Sequence, residues 1–114
     1  MAAALNVLSS RPGRHVAVLG DMLELGPCTQ AEHYRVGRIA AEKAQLLFAF
    51  GPNGKRVLSG AFTGGMSDTK AMAFEDREKL VATLKRMAKP GDVILFKGSR
   101  GMRMELILEA FLNN

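Results

Sequence analysis

The chain has one cysteine, no tryptophan and no long apolar run, and each scarcity excludes a class of protein. Cys28 cannot close an internal disulfide, and with His15 and His33 as the only histidines no spacing typical of a metal site is present. No apolar stretch approaches the roughly 20 residues that cross a bilayer, and the first residues lack the basic start and apolar core of a secretion signal. We therefore expect a soluble, cytoplasmic protein with no metal site and no membrane partner.

What is present fits one compact domain over residues 1–114, because 47% of the residues are hydrophobic and the charges are mixed. The net charge is +5, which raises the question of nucleic acid. The bases are spread along the chain, however, and a single tyrosine is the only large polar aromatic residue beside them. We expect no nucleic-acid partner, and an anionic small molecule would account for the same charge.

Short apolar runs alternate with longer amphipathic segments, a pattern typical of a parallel sheet covered by helices. Residues 2–9 predict a helix with no N-cap before it, and Thr29 with Glu32 predicts a capping box at the start of another. Strands are predicted over 15–21, 45–51, 69–74 and 92–96, and the helices that follow them over 30–44, 52–62, 75–88 and 102–113. Right-handed crossovers then give a Rossmann-like, three-layer α/β/α fold with a mainly parallel sheet of order 3-2-1-4.

Ligands of such a sheet bind beyond the carboxyl ends of the strands, where the strand order reverses. Here the first and fourth strands end in LGDMLELG and FKGSRGM, so these two loops are expected to face each other. Backbone amides near Gly98 and Gly101, the start of the last helix, Lys97 and Arg100 can bind a carboxylate or phosphate. Asp21, together with Glu24, can accept hydrogen bonds from an amine or hydroxyl.

Each of these residues also has a purely structural interpretation, which the sequence leaves open. Asp21 can cap a turn, the aliphatic part of Lys97 can cover apolar surface, and Arg103 can lie on a solvated helix face. GPNGKR lacks the spacing of a phosphate-binding P-loop, and VLGDMLELG is not a dinucleotide-binding GxGxxG segment. No Ser-His-acid set is evident either, so the chain offers no catalytic residue of its own.

Three segments together resemble the C-terminal domain of the Mur ligases: VAVLGDMLELG, HYRVGRIAAE and GDVILFKGSRGMRME. The resemblance covers essentially the whole chain in order. It implies an ATP-dependent, ADP-forming peptide ligase of peptidoglycan synthesis in the bacterial cytoplasm. Within the family, the segments are most similar to the member that joins D-alanyl-D-alanine to UDP-N-acetylmuramoyl-tripeptide.

The resemblance also implies a division of labour, in which ATP and Mg²⁺ are bound mainly by a central domain and the UDP-sugar by an N-terminal one. Neither domain is recognisable here, so we expect an excised C-terminal domain that is inactive alone and has the central domain as its partner. Asp21 is then expected near the substrate amine, and Lys97, Ser99 and Arg100 near the dipeptide carboxylate or a phosphate. The alternative is a freestanding Rossmann-like module that binds an anionic metabolite without catalysis.

Overall fold

A computed structural model describes residues 1–23 and 25–113 of the chain. Its helices are α1 (Ala2–Ser9), α2 (Thr29–Lys43), α3 (Gly54–Thr63), α4 (Arg77–Met87) and α5 (Met104–Leu112). Its strands are β1 (His15–Gly20), β2 (Leu46–Phe50), β3 (Ala71–Phe74) and β4 (Val93–Lys97). Short 3₁₀ turns at Gly26–Cys28 and Arg100–Met102 precede α2 and α5. Every predicted strand and helix is present, with ends that differ by at most two residues.

The four strands form one parallel sheet in the order β3-β2-β1-β4, as predicted. Helices cover both faces, which is why β1 and β2 read as continuous apolar runs rather than as alternating patterns. One core contains Leu5 of α1, Val36 of α2 and Val57 of α3. The other contains Leu80 of α4 and Ile107 of α5. The predicted three-layer α/β/α architecture is therefore confirmed.

The predicted capping box at the start of α2 is wrong. Thr29 is the first residue of the helix rather than its N-cap, and its hydroxyl donates a hydrogen bond back to the carbonyl oxygen of Gly26 at 2.8 Å. An N-cap residue needs non-helical backbone angles, whereas the 3₁₀ turn already gives Cys28 and Thr29 helical ones. Glu32 instead lies 3.6 Å from Arg35 on the exposed side of the helix.

The last helix starts two residues later than predicted. Arg103 has a φ of 52° and a ψ of 51°, which interrupts the right-handed helical path between the 3₁₀ turn and Met104. The apolar side of α5 is nevertheless the predicted one, with Met104 and Ile107 buried. Because of this interruption, residues 98–103 form a separate loop at the end of β4.

Candidate functional site

The candidate site lies at the sheet edge where β1 and β4 both end. The two strands are parallel neighbours, so the residues that follow them emerge side by side. We call residues 21–26 the β1 loop and residues 98–103 the β4 loop; Glu24 of the β1 loop lies outside the described residues. The strand order reverses between β1 and β4, since the chain continues from β1 to β2 on one side and reaches β4 last on the other. This is the position predicted for the ligand.

Ser99 joins the two loops through both its backbone and its side chain. Its N–H donates to the carbonyl oxygen of Asp21 at 3.1 Å, and its hydroxyl oxygen accepts from the N–H of Leu23 at 2.7 Å. Gly98 permits this approach, because a Cβ there would lie only 3.0 Å from the Cα of Gly20. The prediction that the two loops face each other is thus confirmed, and they are hydrogen-bonded together.

Asp21 is buried, with 3% of its surface exposed, and its carboxylate already has partners. The oxygens accept from the backbone N–H of Asn53 at 3.1 and 3.2 Å and from its side-chain Nδ2 at 2.8 Å. The backbone N–H of Asp21 donates to the carbonyl oxygen of Phe50. Asp21 therefore anchors the β1 loop to the end of β2, and its predicted contact with a substrate amine stays a prediction.

Lys97 and Arg100 are both exposed to solvent. Arg100 lines a hollow of about 340 Å³ together with Leu23, Ser99 and Gly101. Lys97 ends β4 on the face that Leu95 also occupies, toward the core beneath α1, α2 and α3. The structure therefore places Ser99 and Arg100 at one hollow, whereas Lys97 lies at its strand end beside it.

Two backbone amides of the β4 loop have partners within the loop. The N–H of Met102 donates to the carbonyl oxygen of Ser99 at 2.9 Å, and that of Arg103 to the carbonyl oxygen of Arg100 at 3.1 Å. These two amides close the 3₁₀ turn, whereas the anion binding predicted for the other amides of this loop and for the start of the last helix stays a prediction. The Arg103 side chain lies 3.4 Å from Glu105, both exposed, in agreement with a solvated helix face.

His33 and Asn53 are site residues that the sequence analysis missed. His33 is 1% exposed, and its Nε2 lies 2.9 Å from the N–H of Met22 in the β1 loop. Asn53 immediately precedes α3, where a polar residue usually caps the helix, yet its side chain donates to Asp21 instead. The sequence did contain one signal for His33, since a histidine on the buried face of α2 needs a hydrogen-bond partner. That partner, Met22, lies eleven residues earlier in the sequence.

Three further properties of the described residues concern metal ligands, membrane-spanning helices and a second hollow. Residues 1–23 and 25–113 contain no group of three or more His, Cys, Asp or Glu side chains placed to hold a metal ion. Within the same ranges, no helix combines the length and apolarity needed to cross a membrane. A larger hollow of about 550 Å³, which includes Lys85, Lys89 and Phe111, lies at the opposite sheet edge and shares no residue with the two loops.

The fold is a parallel three-layer α/β domain, and two hydrogen-bonded loops with the exposed bases Lys97 and Arg100 lie where its strand order reverses. These features define a class of small-ligand-binding domains. Comparison with known families makes this specific. The family model described as "Mur ligase, glutamate ligase domain" matches residues 1–100, and the chain belongs to that family.

Curated relatives match the chain over its whole length. A UDP-N-acetylmuramoyl-tripeptide--D-alanyl-D-alanine ligase of Bacillus subtilis is 33% identical over 117 residues, covering 100% of this chain and 25% of its own length. The ligase of the same name from Escherichia coli is 37% identical over 119 residues, with 100% and 24% covered. The chain therefore spans about a quarter of the length of these relatives.

Solved structures agree in fold and sequence. MurF from Acinetobacter baumannii superposes with a TM-score of 0.84 at 32% identity, covering 96% of this chain and 24% of that one. MurF from Thermotoga maritima, in complex with ADP, gives 0.78 at 31% identity, with 95% and 24% covered. The resemblance drawn from the three sequence segments is confirmed.

Proposed function

We propose that this chain is the domain of an ATP-dependent, ADP-forming peptide ligase that contributes the binding surface for D-alanyl-D-alanine, which is joined to UDP-N-acetylmuramoyl-tripeptide. Two observations together support the proposal. Relatives that match the whole chain are all named as this ligase, and Ser99 joins the β1 and β4 loops at the position expected for a ligand site. Such a ligase works in the bacterial cytoplasm, where its nucleotide-linked substrate is made.

The reaction needs two steps. The terminal phosphoryl group of ATP passes to the tripeptide carboxylate and ADP leaves; the dipeptide amine then attacks the acyl carbon, loses a proton and expels phosphate. Bringing the amine to the activated carbon in the correct orientation supplies a large part of such catalysis. A domain that holds the dipeptide therefore contributes without a catalytic residue of its own.

The loop side chains fit the charged carboxylate end of a dipeptide. Arg100 is exposed at the hollow beside Ser99, and a guanidinium binds a carboxylate or phosphate through paired hydrogen bonds. Lys97 adds positive charge at the adjacent strand end, and the exposed side chain of Leu23 offers an apolar wall for small methyl groups. Asp21 fixes the β1 loop and, in our proposal, lies on the side of the amine.

In our proposal ATP contacts this chain only through its basic side chains, which do not bind Mg²⁺. Lys97 and Arg100 suit a phosphate oxygen, whereas the described residues supply no carboxylate cluster of the kind that binds Mg²⁺. When bound elsewhere in the enzyme, Mg²⁺ neutralises charge on the transferred phosphoryl group. We therefore assign the metal, most of the nucleotide site and the UDP-linked substrate to other parts of the enzyme, chiefly a central domain.

A chimera tests the proposal. The 114 residues replace the matching quarter of the Bacillus subtilis relative, and phosphate release is measured with ATP, Mg²⁺ and UDP-N-acetylmuramoyl-tripeptide, with and without D-alanyl-D-alanine. We expect release that depends on the dipeptide, and none from the 114-residue chain alone. A folded chimera that does not respond to the dipeptide would contradict the proposal. If, in addition, the isolated chain bound inorganic phosphate tightly, we would conclude instead that it is a freestanding module that binds an anionic metabolite.

A further inference from the structure

Three successive backbone N–H groups of the β1 loop are held by three different parts of the fold. The N–H of Asp21 donates to Phe50 at the end of β2, that of Met22 to the His33 ring on α2, and that of Leu23 to the Ser99 hydroxyl in the β4 loop. The path of the chain up to Leu23, which lines the candidate hollow, is thereby determined.

The hydrogen bonds of His33 define the protonation of its ring. The N–H of Met22 can only donate, so Nε2 of His33 must carry a lone pair. The carbonyl oxygen of Thr29, 2.6 Å from Nδ1, can only accept, so Nδ1 must carry the hydrogen. These two contacts require the Nδ1–H tautomer of the ring, and His33 is buried, with 1% of its surface exposed.

We propose that His33, through this tautomer, is the positioning residue that sets the β1-loop wall of the dipeptide site. Its role is indirect: it fixes the backbone at Met22, and Leu23 then presents its exposed side chain to the hollow that Arg100 also lines. The inference rests on the proposed function for the identity of the ligand, but not for the geometry of the loop.

Two amide variants separate the two hydrogen bonds of the ring. The oxygen of a glutamine side chain reaches the position of Nε2, so His33→Gln keeps an acceptor for Met22. An asparagine side chain reaches only the position of Nδ1, so His33→Asn keeps a donor to Thr29 and leaves the Met22 N–H without a partner. The variants are matched in polarity and differ in the interaction that the proposal requires.

The first measurement uses the 114-residue chain. Nitrogen NMR of the His33 imidazole is expected to show an unprotonated Nε2 and a protonated Nδ1. Hydrogen exchange at the Met22 amide is expected to be about tenfold faster in His33→Asn than in the native chain or His33→Gln, from the loss of one buried hydrogen bond. A protonated Nε2, or equal Met22 exchange in all three proteins, would overturn the positioning claim.

The second measurement uses the chimera and compares KM for D-alanyl-D-alanine with kcat. We expect His33→Asn to raise KM about tenfold with little change in kcat, and His33→Gln to keep KM within about threefold of the native value.

Asp92→Asn, at the opposite sheet edge, serves as a control that lowers stability without changing KM. Equal KM values for both His33 variants in an active chimera would refute the inference while leaving the ligase function standing. An inactive native chimera would remove the proposed function, and the NMR results would still decide the role of His33.

Discussion

The Asp21 carboxylate is the clearest case of one side chain organising the site. It is buried, and none of its hydrogen-bond partners is positively charged. The backbone and side-chain N–H groups of Asn53 stabilise it instead. Gly51 makes room for it, because a Cβ there would lie 2.6 Å from a carboxylate oxygen. Removing one of these donors leaves the buried carboxylate with fewer hydrogen bonds, which lowers the free energy of unfolding.

Asn53→Ala tests this arrangement. The change removes the Nδ2 donor, so we expect a loss of about 1 to 3 kcal/mol in the free energy of unfolding, because a hydrogen bond to a charged group is lost. Urea denaturation of the 114-residue chain measures it. Lys55→Ala, an exposed change in the first turn of α3, is the control and is expected to have little effect. Equal stability of Asn53→Ala and the native chain would show that Asp21 does not depend on Asn53.

A second charged interaction ties the opposite sheet edge. Arg14 donates to Asp92 through Nε at 2.9 Å and through a terminal nitrogen at 2.7 Å, and the same nitrogen donates to the carbonyl oxygen of Met87. The hydrogen bond from Arg14 lowers the pKa of Asp92, outweighing the opposing effect of burial, and a backbone bond from Lys89 adds to it. The same pair raises the pKa of Arg14.

The lowered pKa of Asp92 predicts a pH-dependent stability. Its contribution is fully present above the unfolded value of about 3.9 and is lost as the pH falls through the lower folded value. We expect Asp92→Asn to reduce the free energy of unfolding by about 1 to 2 kcal/mol at pH 7, allowing for solvent screening of Arg14. The gap to the native chain is expected to narrow below about pH 4. A gap that stays constant down to pH 2 in urea titrations would contradict this assignment.

Candidate residues are predictable from the sequence where they lie close together in it, and not where their partners are distant. Lys97, Ser99 and Arg100 stand out because they follow one another at the end of one strand. His33 and Asn53 do not, because their partners become neighbours only once α2 and α3 pack against the sheet. Ser99 was predicted to lie near the dipeptide carboxylate or a phosphate, and this stays a prediction; the hydrogen bond that its hydroxyl accepts from Leu23 depends on the register between β1 and β4.

The packing of α2 against α3 depends on a reciprocal pair of glycines. A Cβ on Gly37 would lie 1.9 Å from the carbonyl oxygen of Val57, and one on Gly60 would lie 1.9 Å from that of Tyr34. The two helix backbones therefore touch directly. Because α2 carries His33 and α3 follows Asn53, this contact also sets the distance between two supports of the β1 loop.

Gly37→Ala is expected to destabilise the fold although alanine favours helices. The gain in helix propensity is at most about 1 kcal/mol, whereas a methyl group against a backbone carbonyl forces the helices apart at a cost of about 1 to 3 kcal/mol or more. The thermal midpoint of the chain measures the net effect. Ser59→Ala on the exposed side of α3 is the control. A midpoint for Gly37→Ala at or above the native value would show that the helices do not touch.

Element types were predictable throughout because apolar periodicity is a local signal, whereas the details of the helix starts were not: α3, α4 and α5 each begin two residues later than predicted. At α2 the preceding 3₁₀ turn displaced the expected capping box. At α5 the left-handed conformation of Arg103 delayed the start, and a non-glycine residue in that conformation gives no warning in the sequence. The N–H groups of Met102 and Arg103, at the predicted start of the helix, therefore donate to carbonyl oxygens of the same loop.

The two edges of the sheet differ in the side chains that they carry. One is closed by the Arg14 and Asp92 pair, and the other carries the hydrogen-bonded β1 and β4 loops with exposed bases. Strand order, layers and family were all predictable, since they follow from the succession of elements and from three separated segments.

In our proposal Arg100 of the β4 loop binds the dipeptide, and the KM of the chimera for D-alanyl-D-alanine tests this most directly. Arg100→Ala is compared with Arg86→Ala, which removes the same charge from an exposed position on α4. The loss of a charge-assisted hydrogen bond of about 1.5 to 3 kcal/mol predicts a rise of about tenfold or more in KM for Arg100→Ala and no change for Arg86→Ala. Equal KM values in the two variants would contradict the claim.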